Sequence, residues 1–333
     1  MRKFLALALA LHLGAVSGAL FLYFGATSAA VAQTGYPNKP ITWFVGYAPG
    51  GNADLRSREV ARYLGPLLGQ SVVVENRAGA GGNIATDMIV KARPDGYVIG
   101  MGSFAPLAVN QAMMKTIPFD PLNDVIPIVL IERGPLVLMV NQASPFKSVK
   151  DIVAAAKASP GDFTFASGGL GGSHQLSAEL LKSLTKIDMV HIPYKGGAPA
   201  ALDLLAGRVD IMFEQMYAAM PNIQAGKTRA LAITSKKRLA LVPDLMTMEE
   251  AGVPGFEVLN WQGAIAPKGT PAAIVARLNA AMHKVFAMPE FRDRVLSQGN
   301  ELGGGTPEQF GAFIKAENAK WSAIVRAAKI TAE

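Results

Sequence analysis

The hydrophobic pattern of this chain alternates between the period of strands and the period of helices. Short apolar runs such as Ile41–Val45 are typical of buried strands, whereas Leu55–Leu68 repeats apolar residues at helical spacing. Strand–helix–strand units of this kind predict a parallel sheet with right-handed crossovers. The pattern therefore predicts the α/β class.

The same pattern divides most of the chain into alternating elements. Strands are predicted at Ile41–Val45, Val72–Glu75, Tyr97–Met101, Val125–Ile131, Leu136–Val140, Phe163–Ala166, Val190–Ile192, Val209–Phe213 and Leu231–Thr234. Helices are predicted at Leu55–Leu68, near Asn83–Ala92, at Asp151–Lys157, His174–Leu184 and Ala198–Ala206, and from Thr270-Pro271 through Ala287. Pro66 is expected to shorten or kink the end of the first helix. Thr306-Pro-Glu-Gln309 is expected to open the last helix as a capping box.

A glycine break between Val125–Ile131 and Leu136–Val140 separates a first α/β block from a second. We expect two lobes joined by extended strands, with a helical tail that returns to the first lobe. Residues 33–133 form the first part of lobe 1, residues 134–255 form lobe 2, and residues 256–333 complete lobe 1. Sites in such folds lie beyond the carboxyl ends of strands, often between domains.

Residues 1–32 have the pattern of a secretory signal peptide. Arg2 and Lys3 precede an apolar run from Phe4 to Phe24, and Ala30-Val-Ala32 offers small residues for cleavage before Gln33. The apolar run is longer than usual for a signal peptide, so a retained membrane anchor is the alternative. We expect export to the periplasm with cleavage near Ala32.

Charge and composition exclude several classes of function. Loss of Arg2 and Lys3 with the leader lowers the formal charge from +7 to +5, and the densest basic cluster, Lys236–Arg238, is too small for a nucleic-acid footprint. The chain has no cysteine, which excludes disulfides and thiolate metal sites. The histidines after the leader lack metal-ligand spacing, and no nucleophile elbow is present. We expect neither a metal, a cofactor nor catalysis.

The stretch Ala48-Pro-Gly-Gly-Asn-Ala-Asp54 stands where a predicted strand gives way to a predicted helix. Adjacent glycines let the backbone approach a ligand closely, and a helix start offers unpaired N–H groups and the positive end of a dipole. Together these features favour an anionic ligand. The alternative is a tight turn with Asn52 or Ala53 as the helix cap.

A second glycine-rich stretch, Ser167-Gly-Gly-Leu-Gly-Gly-Ser-His174, has the same pattern. Ser173 could cap the helix or donate to a ligand oxygen, and His174 could donate to a carboxylate. A flexible solvent loop is the alternative. Candidate ligand-binding residues are Ala48, Pro49, Gly50, Gly51, Asn52, Ala53, Asp54, Ser103, Ser167, Gly168, Gly169, Ser173, His174 and Glu214.

The two acidic candidates are ambiguous. Asp54 is more suited to shaping the first loop than to touching an anion, although it could pair with an amine. Glu214 would repel a dicarboxylate if its side chain faced the cleft, so a structural or rim position is favoured. Ser103 and Phe104 are expected as side-wall contacts.

Motifs spread over the chain resemble one known family. They run in the order Tyr36-Pro-Asn-Lys-Pro40, Ala48-Pro-Gly-Gly51, Val74-Glu-Asn-Arg77, Gly79-Ala-Gly-Gly-Asn83, Pro94-Asp-Gly-Tyr97, His191-Ile-Pro-Tyr-Lys-Gly196, Ala225–Leu231, Glu250-Ala-Gly252 and Ala266–Pro271. This order resembles the Bug family of periplasmic solute-binding proteins, the extracytoplasmic receptors of tripartite tricarboxylate transporters. Gly46 and Ala85 depart from the family's usual proline and glycine, which affects ligand identity more than membership.

The resemblance implies a type II periplasmic-binding-protein fold, with two α/β lobes, a central cleft and hinge strands. It implies that two loops grip one carboxylate through backbone amides and ordered waters, here Ala48–Asp54 and Ser167–His174. It also implies that the protein, expected as a monomer, delivers its ligand to integral-membrane permease subunits. A periplasmic carboxylate sensor and a hydrolase or lyase of acidic substrates are the alternatives. The ligand could be a mono-, di- or tricarboxylate, an amino acid or an aromatic acid.

Overall fold

A computed structural model describes residues 35–331 of the chain. The predicted leader and its cleavage site lie outside these residues. Residues 35–38 form a short turn with a cis Tyr36–Pro37 peptide bond. The unit that begins at Lys39 carries all the strands and helices discussed below.

Strands and helices alternate through most of this unit. The strands are β1 (Ile41–Val45), β2 (Val72–Asn76), β3 (Val98–Ser103), β4 (Val125–Asn141), β5 (Thr164–Ser167), β6 (Val190–Pro193), β7 (Ile211–Gln215), β8 (Thr228–Ile233), β9 (Leu259–Pro267) and β10 (Glu301–Gly304). The α-helices are α1 (Asn52–Leu68), α2 (Asn83–Val90), α3 (Asn110–Met113), α4 (Val149–Ala158), α5 (Ser173–Thr185), α6 (Gly197–Leu205), α7 (Met216–Gln224), α8 (Ala272–Phe286), α9 (Pro289–Ser297) and α10 (Pro307–Ala327). Short turns of other helical types cover Ala80–Gly82 and Ala105–Val109.

Within residues 35–331 the ten strands form one hydrogen-bonded sheet. Its order is β2-β1-β3-β9-β4-β7-β5-β6, and β8 and β10 both pair with β4. Strand β1 pairs in parallel with β2 and β3, and β5 pairs in parallel with β6 and β7. These two parallel groups confirm the predicted α/β class.

Strand β4 joins the two groups. Its first part, Val125–Pro135, pairs with β9, and its second part, beginning at Leu136, pairs with β7 and β8. The sheet therefore has two α/β halves that share one long strand. The sequence pattern predicts two separate strands here, and that prediction is wrong because the ladder continues through the glycine at position 134.

A single threonine ties β4 to the other segment that passes between the two halves. The Thr234 N–H donates to the carbonyl of Leu136, and the Thr234 hydroxyl accepts the Leu136 N–H at 2.8 Å. The same hydroxyl donates to the carbonyl of Val258 at 2.6 Å, and the Val258 N–H donates to the Thr234 carbonyl. Thr234 is fully buried, and its bonds hold the two connecting segments together at one point.

Helices follow the carboxyl ends of β1, β5, β6 and β7 after short connections. In a parallel group these ends lie along the same edge of the sheet, so the helices that follow begin near one another. This topology gathers the N-termini of α1, α5, α6 and α7 at the place where the two halves of the sheet meet. The connections that lead into three of these helices are rich in glycine.

An aromatic group in the first half supports this region from behind. Trp321 of α10 is fully buried and meets the ring of Phe104 edge-on, with ring centres 5.0 Å apart. Trp261 of β9 also meets Phe104 edge-on at 6.4 Å. Both indole N–H groups donate to Glu317, so no polar atom of the pair is buried without a partner among residues 35–331.

Other differences between pattern and structure have identifiable causes. Helix α1 runs through Pro66 to Leu68 and ends where Gly69 adopts a left-handed conformation, so the proline does not shorten it. The strand β9 and the helix α7 were not predicted, because their polar residues interrupt the expected periods. The capping box at the start of α10 is confirmed, with Thr306 and Gln309 bonded to each other's backbone.

No helix within residues 35–331 is long and apolar enough to cross a membrane.

Replacement of Trp321 by alanine should destabilise the protein by about 3–5 kcal/mol, because it leaves a cavity against Phe104 and removes a large buried ring. Urea unfolding of purified protein measures the change. The matched control is Leu202→Ala, since Leu202 is 65% exposed and should cost no more than about 0.5 kcal/mol. A loss below about 1 kcal/mol for Trp321→Ala would mean that this aromatic group does not stabilise the first half.

Candidate functional site

A cavity of about 250 Å³ lies where the gathered helix N-termini meet. Both halves of the sheet contribute to its walls. It is lined by Tyr47, Gly51, Asn52, Ala53, Ser103, Phe104 and Ala105, by Gly168, Gly169, Gly172, Ser173, His174, Gly196 and Gly197, and by Gln215, Tyr217, Asn260 and Gln262. We take this cavity as the candidate site because its walls combine exposed backbone with a few polar side chains.

A larger hollow of about 600 Å³ lies along α1 and β2. Its cations, Arg58 and Arg62, belong to exposed positions of α1, and the hollow follows the C-terminal part of that helix. The carbonyl end of a helix repels anions, and the walls come from one half of the sheet only. We therefore do not regard it as the functional site.

The first loop is held in shape by Asp54. Its carboxylate accepts hydrogen bonds from the Gly50 N–H and from the Asn76 side-chain amide, both at 2.9 Å. It also forms an ion pair with Arg58 at 2.9 Å. Burial acts to raise the pKa of the Asp54 carboxyl, but these three donors together hold that pKa below its ordinary value. Asp54 is 2% exposed, so it shapes the loop from inside.

The structure makes Gly51 the N-cap of α1, in extended conformation, in place of Asn52 or Ala53. Because the N-cap is glycine, it has no side-chain oxygen with which to cap this helix. The N–H groups of its first turn therefore have no partner inside the helix. The Asn52 amide interacts with the Tyr217 phenol, and both Asn52 and Ala53 line the cavity.

The second loop satisfies three of its glycine amides internally. Gly168 N–H donates to Nδ1 of His174 at 3.1 Å, Gly169 N–H donates to the Ser167 hydroxyl at 3.2 Å, and Gly171 N–H donates to Gln175 at 2.8 Å. Helix α5 then begins at Ser173 with Gly172 as its N-cap, again without a side-chain cap from residues 35–331. Of the two alternatives for Ser173, the capping role is therefore wrong, because Ser173 is already inside the helix.

A third helix begins at the same cavity. Gly196 and Gly197 follow β6 and start α6, and Gly196 has the positive φ of 119° that favours glycine. The described residues place no side-chain cap on this helix either. The carboxylate of Glu214 lies close behind, since a Cβ added to Gly197 would come within 2.9 Å of its Oε2 atom.

Two helices away from the cavity have side-chain caps, whereas α2, α8 and α9 have none. Ser148 and Asp151 form a capping box at the start of α4, and Thr306 and Gln309 form one at the start of α10. At the cavity wall, α1, α5 and α6 each begin after a glycine N-cap, and α7 begins there after Gln215, also without a side-chain cap. Their free N–H groups and dipoles can stabilise an anion without any cationic side chain.

The two ring nitrogens of His174 face different groups. Its Nδ1 atom accepts the Gly168 N–H, so the ring proton is assigned to Nε2, which lies 3.1 Å from Oε1 of Glu214. The distance is short, but the two groups are not aligned for a hydrogen bond, and Nε2 has no other partner among residues 35–331. His174 therefore lines the cavity with its Nε2 turned towards Glu214.

Polar side chains form the rest of the wall. The hydroxyl groups of Tyr47 and Ser103 are hydrogen-bonded to each other at 2.9 Å. Burial raises the pKa of the Tyr217 phenol, and the carboxylates of Glu214 and Glu132 raise it further, while the backbone amide of Asn52 acts in the opposite direction. Tyr217 is thus an uncharged phenol that reaches from the second half of the sheet to the start of α1.

The predicted site residues fall into two groups. The cavity lining includes Gly51, Asn52, Ala53, Ser103, Gly168, Gly169, Ser173 and His174. The structure places the others around it: Ala48, Pro49 and Gly50 are exposed on the first loop, and Asp54, Ser167 and Glu214 are buried behind the walls.

Sequence reasoning missed several residues of the lining. Gly196 and Gly197 repeat the strand–glycine–helix pattern of the first loop, so that signal was available. Gln215 and Tyr217 flank the start of the unpredicted α7, and Asn260 and Gln262 alternate with buried residues on the unpredicted β9. Recognition of β9 as a strand would have identified the last two.

Ser167 and His191 form a hydrogen-bonded pair behind the second loop. The Ser167 hydroxyl and His191 Nε2 are 2.6 Å apart, and the His191 ring stacks on Phe165 at 4.7 Å. Burial, assisted by the charge of Lys182, lowers the pKa of His191 to about 4. Ser167 is fully buried and bonds to both sides of Gly169, so the pair supports the loop and does not face the cavity.

Residues 35–331 contain no cluster of histidine, aspartate or glutamate side chains that could hold a metal ion.

Replacement of His191 by glutamine should reduce the acid sensitivity of folding. His191 binds a proton more readily in the unfolded chain than in the folded protein. Its contribution to the free energy of unfolding is therefore fully present above pH 6.5 and decreases as the pH falls towards 4. The shift corresponds to at most about 3 kcal/mol, and partial solvent exposure of the ring reduces the expected loss to about 1–2 kcal/mol. Urea unfolding over this pH range measures the loss, which glutamine should remove. His283→Gln, at an exposed position, should keep the wild-type dependence, and equal pH profiles for the wild type and His191→Gln would contradict the assignment.

Comparison with known families identifies the chain. Residues 57–330 match the family described as the tripartite tricarboxylate transporter family receptor. Protein BugT of Bordetella pertussis is 38% identical over 308 residues, which cover 92% of this chain and 94% of BugT.

Solved structures with the same fold agree. An R. palustris protein solved with adipate has a TM-score of 0.83 and 35% identity, covering 89% of this chain and 99% of that one. The periplasmic binding protein BugD has a TM-score of 0.80 and 34% identity over 89% of this chain and 99% of its own. MatC from Rhodopseudomonas palustris, with bound malate, has a TM-score of 0.80 and 31% identity over 87% of this chain and 100% of its own. The protein therefore has the fold of the periplasmic solute-binding proteins and belongs to the tripartite tricarboxylate transporter receptor family, with the Bug proteins among its relatives.

Proposed function

We propose that this protein is an extracytoplasmic receptor that captures a small carboxylate-bearing molecule in the cavity and delivers it to the membrane subunits of a tripartite tricarboxylate transporter. The observation that carries the proposal is the meeting of three helix N-termini with glycine N-caps, those of α1, α5 and α6, at one cavity of about 250 Å³. Hydrogen bonds from N–H groups to a charged acceptor contribute roughly 1.5–3 kcal/mol each, so a few suffice for useful affinity.

The ligands of solved relatives support the carboxylate class. The R. palustris protein was solved with adipate and MatC with malate, and both ligands are small carboxylates. For the present chain we propose only that the ligand bears a carboxylate, as both of these ligands do. The residues proposed to bind the carboxylate are the backbone groups at Gly51–Ala53, Gly172–His174 and Gly196–Gly197.

We further propose that the two halves of the sheet act as lobes that close on the ligand. Lobe 1 comprises residues up to 133 and from 256 onward, and lobe 2 comprises residues 134–255. The first N-terminus belongs to lobe 1 and the other two belong to lobe 2, so a carboxylate between them gains its full set of donors only in the closed form. Such differential affinity is what allows a ligand to shift a conformational equilibrium.

The proposed cycle is binding and release without bond chemistry. The Ser167–His191 pair has the composition of a nucleophile and base, but it lies behind the loop, away from the cavity. His174 uses Nδ1 as an acceptor from the backbone. The expected leader fits export to the periplasm, where a monomeric receptor meets its permease. These placements favour a receptor over a hydrolase.

A thermal-shift screen across mono-, di- and tricarboxylates, amino acids and aromatic acids should find ligands that raise the melting temperature of the protein. A ligand at one hundred times its dissociation constant stabilises the native state by about 2.7 kcal/mol, which is several degrees for a domain of this size. Mass spectrometry of the same mixtures should show no product. A screen without any stabilising carboxylate, or with turnover, would contradict the proposal.

Replacement of Gly51 by valine should abolish carboxylate binding while changing unliganded stability by no more than about 1 kcal/mol. Gly51 has φ −77°, which valine adopts readily, and a Cβ there would meet only the Ala48 carbonyl oxygen, at 3.6 Å. The new side chain would cover the N–H groups at the start of α1.

Ala48→Val is the matched control, because it adds the same side chain to an exposed position of the same loop outside the cavity lining. Calorimetric titration with the best ligand of the screen measures both variants. Unchanged affinity in Gly51→Val would remove the first loop from the site.

A further inference from the structure

One side of the cavity is formed by amide and phenol side chains. We call Gln215, Tyr217, Asn260 and Gln262 the amide wall. Together with Asn52, these residues also line a smaller cavity that continues from the first and reaches Glu132, Gly134 and Asn300. The amide wall therefore faces whatever part of a ligand extends away from the glycine loops.

Gln262 stands in the middle strand of this region. It lies on β9 between Ser103 of β3 and Glu132 of β4, and it lines both cavities. The side chain is 3% exposed, and its Oε1 atom is buried without a hydrogen-bond partner among residues 35–331. An acceptor left unpaired in a buried site is unfavourable, so this atom is suited to accept a hydrogen bond from a ligand donor.

The charges around the amide wall are negative or balanced. Among residues 35–331, no lysine or arginine lines the cavity. Behind the wall, Glu132 accepts from Arg56, Asn52 and Asn300 at 2.9–3.0 Å. Arg56 is shared with a second carboxylate, that of Glu59, which also pairs with Arg294, so this group is balanced.

Glu214 adds a further carboxylate on this side. Its Oε1 atom lies 3.1 Å from Nε2 of His174 and accepts the Gln215 N–H at 2.8 Å. Glu214 and Glu132 both act on Tyr217, which shows that their fields reach the wall. A second carboxylate of a ligand would enter this negative field without a counter-ion, whereas an uncharged donor would not.

We propose that Gln262 determines specificity by accepting a hydrogen bond from an uncharged group at the far end of the ligand. The ligand class is then a monoanionic acid that carries a terminal hydroxyl or carboxamide, and a second carboxylate is disfavoured. This inference rests on the proposed function, because it assumes that one carboxylate occupies the helix N-termini. It also separates this chain from the relatives that were solved with adipate and malate.

The experiment is isothermal titration calorimetry at neutral pH with ligands that differ only at one end. Each of three chain lengths supplies a terminal hydroxy acid, the matching dicarboxylate and the simple acid: 4-hydroxybutanoate with succinate and butanoate, 5-hydroxypentanoate with glutarate and pentanoate, and 6-hydroxyhexanoate with adipate and hexanoate. At the length that fits best, we expect the hydroxy acid to bind about tenfold more tightly than either partner.

The variant Gln262→Met removes the acceptor at nearly constant volume. It should bring the affinities of the hydroxy acid and the simple acid within about twofold of each other, without weakening the simple acid. Gln142→Met, at an exposed position, is the matched control and should keep the wild-type ratio. The melting temperature of each unliganded variant verifies folding, and the wild-type series decides the question alone if Gln262→Met does not fold.

The outcomes separate this inference from the proposed function. Tight binding of dicarboxylates, with hydroxy acids equal or weaker, overturns the inference and leaves the receptor function in place. A hydroxy-acid preference that survives in Gln262→Met removes Gln262 as its cause and also overturns the inference. Absence of binding by every carboxylate overturns the proposed function, and this inference with it.

Discussion

The structure depends on one requirement, that every buried backbone N–H finds a hydrogen-bond acceptor. Parallel strands end along one edge of the sheet, and the helices that follow them begin there with unpaired N–H groups. At the starts of α4 and α10 the chain meets the requirement with its own side chains, those of Ser148 and Thr306. The N-cap residues of α1, α5 and α6 are glycines, which have no side chain to offer, and these three helices begin together at one cavity. Their N–H groups are therefore placed where a bound anion can accept from them.

This arrangement separates the recognition of charge from the recognition of shape. Backbone N–H groups and helix dipoles stabilise a negative charge whatever the rest of the molecule looks like, because they contact only the charged group. Side chains on β9 and α7 contact the remainder. A family built in this way can change its ligand by replacing a few wall residues such as Gln262, while the glycine loops stay the same. The buried Arg56–Glu132 pair fixes the first turn of α1, and Asn52 with it, against the sheet.

The sequence predicted those parts of the protein that depend on local chemistry. The strand Ile41–Val45, the glycine loop after it and the capping box at Thr306 follow from short-range patterns, and all three are present in the structure. Motif order identified the family. The roles of individual amides could not be predicted in the same way, because the acceptors Asp54, His174 and Gln175 reach the glycines only after the loops fold.

The amide wall was beyond sequence reasoning for a related cause. Strand β9 pairs antiparallel to both of its neighbours in a mixed sheet, and it joins the sheet from far along the chain. Its Asn260 and Gln262 interrupt an apolar run, so no local period marks it as a strand. Only the register with β3 and β4 brings these amides to the cavity, and register is a property of the assembled sheet.

The bonds made by Thr234 have a mechanical consequence. Two segments pass between the halves of the sheet, and this buried residue fastens one to the other through both its backbone and its hydroxyl. Segments that are bonded to each other cannot bend independently, so any rotation of one half against the other must bend both segments together. The protein would then fix the axis of closure, and ligands of different length would change only the angle at which closure ends.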